Sequence, residues 1–176
     1  EANTRPATLA ARAFSRAVYG SHPYGWEMTE ESLLRTSVQD LRTLHATALR
    51  ACDARVSMVG ALTRAQADTL VTRLLARLPK TTCTPQPVVP EVQPLTAASE
   101  QRIPFASAQA QVLLGQPGYK RNAPDFFALL VGNHILGGGG FTARLTEEVR
   151  EKRGLTYSVY SSFSPGLHAG AFTIGL

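Results

Sequence analysis

The sequence predicts an α+β fold, in which helices and antiparallel strands occupy separate stretches of the chain. Segments with apolar residues at helical spacing dominate residues 1–80. Residues 100–176 add alternating apolar and polar segments separated by short turns, as expected of antiparallel strands. Residues 81–99 are rich in proline and predict an extended linker. We therefore expect two structural parts, 1–80 and 100–176, joined by the linker 81–99.

The first part contains clear helix signals. Pro6 suits the first position of a helix, and apolar residues recur at helical spacing as far as Tyr19. Residues 55–62 alternate and predict a buried strand that ends at Gly60. A short helix is predicted at 29–35. Two more are predicted to begin at the capping pairs Ser37 with Asp40 and Thr63 with Gln66, and the second of these ends at Pro79.

The second part predicts three strands and two helices: strands at 103–115, 155–163 and 169–176, and helices at 125–136 and 142–153. The helix 125–136 is apolar on nearly every side, which predicts that it is buried. The strand 169–176 is expected to form a hairpin with the strand before it and to leave its outer edge unpaired.

Composition argues against a nucleic-acid-binding function and against a membrane-spanning segment. The net charge is +5, from 18 basic and 13 acidic residues, but the arginines are scattered along helices as on solvated faces. They form no basic stripe with aromatic residues, so nucleic-acid binding is not predicted. No apolar run approaches the roughly 20 residues that span a bilayer. Because the chain begins at Glu1 rather than Met, we interpret it as part of a longer polypeptide, whose targeting is open.

The two cysteines leave an alternative open. Cys52 and Cys83 are separated by 31 positions and form no C-x-x-C motif. We interpret them as two thiols, whereas export from the cell would favour a disulfide between them.

The stretch 137–157, GGGGFTARLTEEVREKRGLTY, is the most unusual in the chain. Each of its four consecutive glycines costs about 0.5–1 kcal/mol inside a regular helix relative to alanine, so a backbone requirement is implied. A charged helix follows and ends at Gly154. Arg150 lies in its last turn and Tyr157 lies near the start of the next strand. We expect the turn at Gly154 to bring these two side chains to one site.

A purely structural interpretation of the same residues is also available. Arg150 would pair with Glu147 and stabilise the negative end of the helix dipole. Tyr157 would be a half-buried strand residue. The glycines would only form a tight turn between two helices.

The run ILGGGGFTARLTEEVREKRGLTYSVYSSFSP resembles the second-half signature of the pitrilysin/insulinase family of zinc metallopeptidases, in its bacterial processing-protease branch. That signature has a Gly-rich turn, a helix ending in Arg-x-Lys-x-Gly-Leu, and a tyrosine seven residues after the arginine. The loop His22-Pro23-Tyr24-Gly25 is similar to a loop in the family's first half.

The resemblance implies a mitochondrial-processing-peptidase-like fold of two tandem homologous halves. Each half is an antiparallel sheet with helices packed on one face. Residues 1–80 would then be the C-terminal part of the first half. Residues 100–176 would be the N-terminal part of the second half.

The resemblance also implies where the chemistry lies. Family members bind zinc through an H-x-x-E-H motif and a later glutamate, and the zinc makes water a nucleophile at neutral pH. This sequence contains no H-x-x-E-H, so we assign no metal ligand to it and expect the zinc in an upstream half or in a partner subunit. The resemblance assigns catalytic roles to Arg150 and Tyr157. It assigns substrate binding to Gly137, Gly138, Gly139 and Gly140.

The four histidines are given structural interpretations. His22 is expected to be a loop histidine that hydrogen-bonds the backbone. His45 and His134 are expected to pack against apolar neighbours, and His168 is expected to be exposed at the tip of the last hairpin.

The function that follows is part of a zinc-dependent metalloendopeptidase that cleaves peptides or unfolded segments. The alternatives are a non-catalytic scaffold or partner subunit of a peptidase-like complex and, third, a basic nucleic-acid-binding module without a recognisable motif. Expected partners are a peptide substrate and a half or subunit that carries H-x-x-E-H, in a homo- or hetero-oligomer. The expected compartment is a bacterial periplasm.

Overall fold

The computed structural model describes residues 4–79, 83, 85 and 87–176, which belong to two compact units. We call residues 1–26 with 89–176 the sheet unit, and residues 27–88 the helical unit. The helices are α1 (Pro6–Tyr19), α2 (Glu30–Arg35), α3 (Val38–Ala48), α4 (Arg64–Leu75) and α5 (Phe126–Asn133). The strands are β1 (Leu113–Pro117), β2 (Tyr160–Phe163) and β3 (Ala171–Gly175).

The helical unit has the predicted helices but not the predicted strand. Side chains at the starts of α2, α3 and α4 complete reciprocal capping boxes, which confirms the pairs Ser37 with Asp40 and Thr63 with Gln66. The strand predicted at 55–62 is wrong, because this segment is largely exposed and is not assigned to a strand. A strand needs a hydrogen-bonded neighbour, and the described residues of this unit contain no strand. His45 is exposed on α3, not packed.

The interpretation of the cysteines as thiols is wrong. Cys52 and Cys83 form a disulfide, and their Cα atoms are 6.3 Å apart. The bond closes a loop across a sequence separation of 31 residues, which in the chain-entropy account stabilises a fold by about 3–4 kcal/mol. Spacing alone could not distinguish the two states, since the choice depends on proximity and on the redox compartment.

The sheet unit is an antiparallel three-stranded sheet in the order β1-β3-β2, and α1 packs against β1. Helix α1 has the predicted bounds. The hairpin between β2 and β3 is confirmed, but β3 is the central strand and not an open edge.

All three strands are shorter than predicted, and the register explains why. Gly175 of β3 pairs with Leu113 on one side and with Tyr160 on the other. Val112 adds a last pair of hydrogen bonds with Leu176. The alternating residues 103–111 and 155–159 therefore extend past the end of β3 and have no strand partner among the described residues.

Helix α5 is not buried as its composition predicts. Phe127 is 75% exposed, and Leu130, Val131 and Ile135 also face solvent to a large extent. The described residues cover only the side of α5 that contacts β2 and Tyr119. Apolar composition thus predicts that a helix packs against other residues on all sides, but it does not identify those residues.

Part of the predicted linker is anchored to the sheet unit. The backbone carbonyl of Pro90 accepts a hydrogen bond from His22 Nε2 at 3.0 Å, while His22 Nδ1 accepts from the backbone N–H of Tyr24. His22 is therefore the backbone-bonding histidine that its loop predicts. Val92 is buried within the same unit. Residues 80–82, 84 and 86 of this region lie outside the described residues. The predicted boundaries of the homologous halves stay a prediction.

Glu91 connects this segment to the β2–β3 hairpin. It forms an ion pair with Lys120 and accepts a hydrogen bond from the backbone N–H of Ala169 at 2.9 Å. His168 is half-buried beside it, with its ring centroid 5.2 Å from that of His22, so the expectation of an exposed histidine is wrong. The Lys120 hydrogen bond first, and then the Ala169 N–H, lower the pKa of Glu91 from 4.5 to about 2.

We predict that Glu91→Gln destabilises the fold in a pH-dependent way. Because the pKa of Glu91 is lowered on folding, its ionised form contributes stability above about pH 4.5, and this is lost as the pH falls through about 2. The urea midpoint of the wild type should exceed that of the variant at neutral pH, and the gap should shrink across this window. Glu100→Gln, which alters an exposed ion pair, is the control. A gap that does not change with pH would contradict the assignment.

Candidate functional site

The candidate site begins where α5 ends against β2. Asn133 Nδ2 donates to the carbonyl of Ser161 at 3.2 Å, and Ser161 Oγ donates back to Asn133 Oδ1 at 2.7 Å. Gly137 lies next to this pair, in a π-helical turn that spans His134–Gly138. A Cβ atom at Gly137 would lie 2.5 Å from the backbone nitrogen of Ser161, so only glycine permits this close approach.

The rest of the Gly-rich stretch reverses the chain. Gly140 has a φ of +65°, and it begins a 3-10 turn that spans Gly140–Thr142. Thr146 Oγ1 donates to the carbonyl of Gly140 at 2.9 Å, which fixes the turn to the next helical segment. These contacts give Gly137 and Gly140 backbone roles. Gly137 is buried, whereas Gly138 and Gly140 are exposed. Substrate binding by Gly137, Gly138, Gly139 and Gly140 stays a prediction.

The charged helix contains a π-helical segment, Thr146–Glu151. In this geometry the N–H of residue i+5 bonds the carbonyl of residue i, as Lys152 does with Glu147 at 3.0 Å. The Lys152 ammonium then pairs with Glu147 at 2.9 Å and with Glu148 at 2.6 Å. Arg153 pairs with Glu148 at 3.1 Å. Glu147 is thus engaged by Lys152, and the predicted alternative of a Glu147–Arg150 pair is wrong.

These ion pairs change the acidity of the groups involved. The hydrogen bond from Lys152 first, and then that from Arg153, lower the pKa of Glu148. The hydrogen bonds to Glu148 and then to Glu147 raise the pKa of Lys152. Each of these two shifts favours the charged form, so Glu148 and Lys152 are both ionised at neutral pH.

The structure brings Arg150 and Tyr157 together. Gly154, with a φ of +60°, ends the helix, and its N–H bonds the carbonyl of Arg150 at 2.9 Å. The Cζ atom of Arg150 lies 5.0 Å from the centroid of the Tyr157 ring, within the range of a cation–π contact. Tyr157 lies in a bend before β2, 85% exposed, and not in a strand as predicted. The segment around it has passed the end of β3 and has no strand partner there.

A third residue, Phe141, belongs to the same cluster and was not identified from the sequence. The Arg150 Cζ atom lies 5.2 Å from the centroid of its ring. Phe141 is 78% exposed. The only sequence signal for it is an aromatic residue directly after the glycines. We call Phe141, Arg150 and Tyr157 the arginine–aromatic cluster.

The donors of this cluster are available to a ligand. The Arg150 side chain is 28% exposed, and its ion pair is with Glu151, at 3.3 Å from Nε. Within the described part of the chain, neither the Arg150 guanidinium nor the Tyr157 hydroxyl forms a hydrogen bond. A planar guanidinium and a phenolic hydroxyl side by side can bind the carbonyl or carboxylate oxygens of a peptide.

The described residues do not fit a zinc ion. Zinc sites use at least three protein ligands, and no group of three His, Cys, Asp or Glu side chains is suitably placed in ranges 4–79 and 87–176 or at 83 and 85. His22 and His168 come into contact, but both nitrogens of His22 are engaged by backbone groups. His134 is exposed at the end of α5, not packed in a core. No described helix combines the length and apolarity needed to cross a membrane.

Comparison with known proteins identifies the family. The sequence matches the family described as "Peptidase M16 inactive domain" over residues 35–176. The chain belongs to this peptidase M16 family. An uncharacterized zinc protease of Mycobacterium tuberculosis is 31% identical over 176 residues, covering 96% of this chain and 39% of the relative. An uncharacterized zinc protease of Streptomyces coelicolor is 41% identical over 92 residues, covering 51% of this chain and 20% of the relative.

Two solved structures support the same placement. The peptidase M16 inactive domain from Pseudomonas fluorescens has a TM-score of 0.91 and 38% identity, covering 99% of this M16 chain and 42% of the other. A protease from Helicobacter pylori has a TM-score of 0.79 at 19% identity, covering 98% and 42%, which shows the fold alone. The resemblance to pitrilysin-type peptidases and the α+β fold class are therefore confirmed.

We predict opposite effects from two glycine substitutions. Gly137→Ala inserts a methyl group against Ser161, which should destabilise the fold by about 1–3 kcal/mol through overpacking. Gly132→Ala in α5 meets no atom within 4 Å and should stabilise it by about 0.4–1 kcal/mol. Chemical denaturation of both variants measures this. Equal effects of the two substitutions would show that the close approach at Gly137 does not constrain the fold.

Proposed function

We propose that this M16 chain contributes the arginine–tyrosine side of the active site of a zinc-dependent metalloendopeptidase that cleaves peptides or unfolded segments. The supporting observation is the contact between Arg150 and Tyr157, with their donors adjacent and not hydrogen-bonded within the described residues. Relatives that carry the name zinc protease support a peptidase role. The chain spans 39% of the mycobacterial relative's length, so the activity belongs to a larger protein or assembly.

Arg150 and Tyr157 have distinct roles in this proposal. Arg150 donates to a backbone carbonyl of the bound peptide and holds the chain in place before the reaction. The Tyr157 hydroxyl donates to the carbonyl oxygen of the scissile bond as negative charge develops on it. Because the Arg150 guanidinium also lies against the Tyr157 ring, it holds the tyrosine in position, so loss of the arginine impairs the tyrosine as well. The arginine thus acts on both binding and reaction, whereas the tyrosine acts mainly on the reaction.

The proposal requires a partner that supplies the metal. Because the described residues do not fit zinc, the H-x-x-E-H motif belongs to another half of the same protein or to another subunit. The half or subunit that carries the zinc would then lie opposite the arginine–aromatic cluster. This requires the cluster to be exposed on the present chain, as Phe141 and Tyr157 are. A homo- or hetero-oligomer satisfies the same requirement.

The proposed compartment is an oxidising one, such as a bacterial periplasm. The Cys52–Cys83 disulfide supports it, because disulfides persist in exported proteins and are rare in the bacterial cytosol.

We predict that Tyr157→Phe lowers the turnover of the full enzyme about a hundred- to a thousandfold, as is typical when one oxyanion donor is removed. Folding and zinc content should not change, since the ring is retained. Arg150→Ala should lower kcat and also raise KM. Steady-state kinetics with zinc analysis and melting temperatures measure these effects. Tyr160→Phe removes a hydroxyl three residues away on β2 and serves as the control. Wild-type turnover in Tyr157→Phe would favour a non-catalytic scaffold.

A further inference from the structure

We propose that Phe141 is a positioning residue that orients the Arg150 guanidinium for its substrate. This inference deepens the proposed function and rests on it where turnover is concerned. Its structural part concerns only the contact between Phe141 and Arg150 and can be tested separately.

The backbone holds Phe141 in a defined place. The carbonyl of Gly140 is hydrogen-bonded to Thr146, and the N–H of Ala143 bonds the same carbonyl at 3.2 Å. Ala143 is buried, with 1% of its surface exposed. Phe141 thus lies in a short turn that is fixed on both sides. Its ring projects from an anchored segment, although the ring itself is largely exposed.

Two aromatic rings restrict the same guanidinium. The Arg150 Cζ atom lies 5.2 Å from the Phe141 centroid and 5.0 Å from the Tyr157 centroid. A ring face attracts the cation without using its N–H donors, which remain directed to the edge of the guanidinium plane. An arginine side chain that is already ordered loses less conformational entropy when it binds a ligand. Phe141 therefore pre-organises the Arg150 guanidinium and leaves its N–H groups available to a ligand.

The neighbouring ion pairs also leave the Arg150 donors available. The π-helical segment pairs Lys152 with Glu147 and Glu148, and Arg153 with Glu148. The carboxylate that remains for Arg150 is that of Glu151, at 3.3 Å from Nε. The guanidinium is thus positioned by two rings and one carboxylate. Of the two rings, only that of Phe141 belongs to a residue with no assigned chemical role.

An NMR experiment on the 176-residue chain tests the contact directly. A proton above an aromatic ring is shielded by the ring current, so the Phe141 ring should hold the Arg150 Nε–H resonance upfield of the position it takes without that ring. Phe141→Leu should move it downfield, and Phe141→Tyr should leave it upfield. Arg150→Lys identifies the signal by removing it. Phe127→Leu is the matched control, since Phe127 is similarly exposed and lies outside the arginine–aromatic cluster. An unchanged Arg150 resonance in Phe141→Leu would overturn the proposal.

Kinetics of the full enzyme test the functional consequence. Phe141→Leu should lower kcat/KM roughly two- to fivefold, the factor expected for loss of one exposed cation–π contact. KM should rise in Phe141→Leu. Phe141→Tyr should retain wild-type kcat/KM, because it keeps an aromatic ring, and Phe127→Leu should have no effect. A loss of folded enzyme would instead lower kcat at constant KM. In an Arg150→Ala background, Phe141→Leu should have no further effect, because its role requires the arginine.

The two proposals can fail separately. If Arg150→Ala and Tyr157→Phe retain wild-type turnover, the proposed function fails, while the NMR result still decides the contact. If those variants are impaired but Phe141→Leu keeps wild-type kcat/KM, the positioning role fails and the proposed function stands.

Discussion

The close contact between Gly137 and Ser161 is the constraint on which the geometry of the candidate site depends. A helix end can approach a strand this closely only without a side chain, and the reciprocal Asn133–Ser161 hydrogen bonds hold it there. This contact fixes the start of the turn that carries Phe141. The end of the next helical segment, fixed by Gly154, carries Arg150. The arginine–aromatic cluster therefore depends on backbone contacts that lie outside it.

The π-helical geometry determines which charges remain available. Three acidic and three basic residues occupy the segment 147–153, and several pairings are sterically open to them. In an α-helix, Glu147 would lie beside residues 150 and 151, at i+3 and i+4. The π-helical segment instead brings residue i+5 next to residue i, so Lys152 engages Glu147. One local change of helix type thus leaves the Arg150 donors unblocked. Such turns occur frequently at functional sites.

The sequence allowed prediction of local features and of one part of the site. Helix α1, the two capping boxes and the end of a helix at Gly154 depend on neighbours within a few residues, and all were predicted. The proximity of Arg150 and Tyr157 followed from the turn between them. Strand lengths could not be predicted, because they depend on where β3 ends. The exposure of α5, the disulfide and the role of Phe141 also depend on contacts between residues distant in sequence.

A double-mutant cycle on kcat/KM of the full enzyme tests whether Arg150 and Tyr157 act as one unit. Residues that act together show strongly non-additive effects when both are removed. We expect Arg150→Ala combined with Tyr157→Phe to lose little more activity than the more impaired single variant. A loss equal to the product of the two single losses would mean that the residues act independently, and this result would contradict the account.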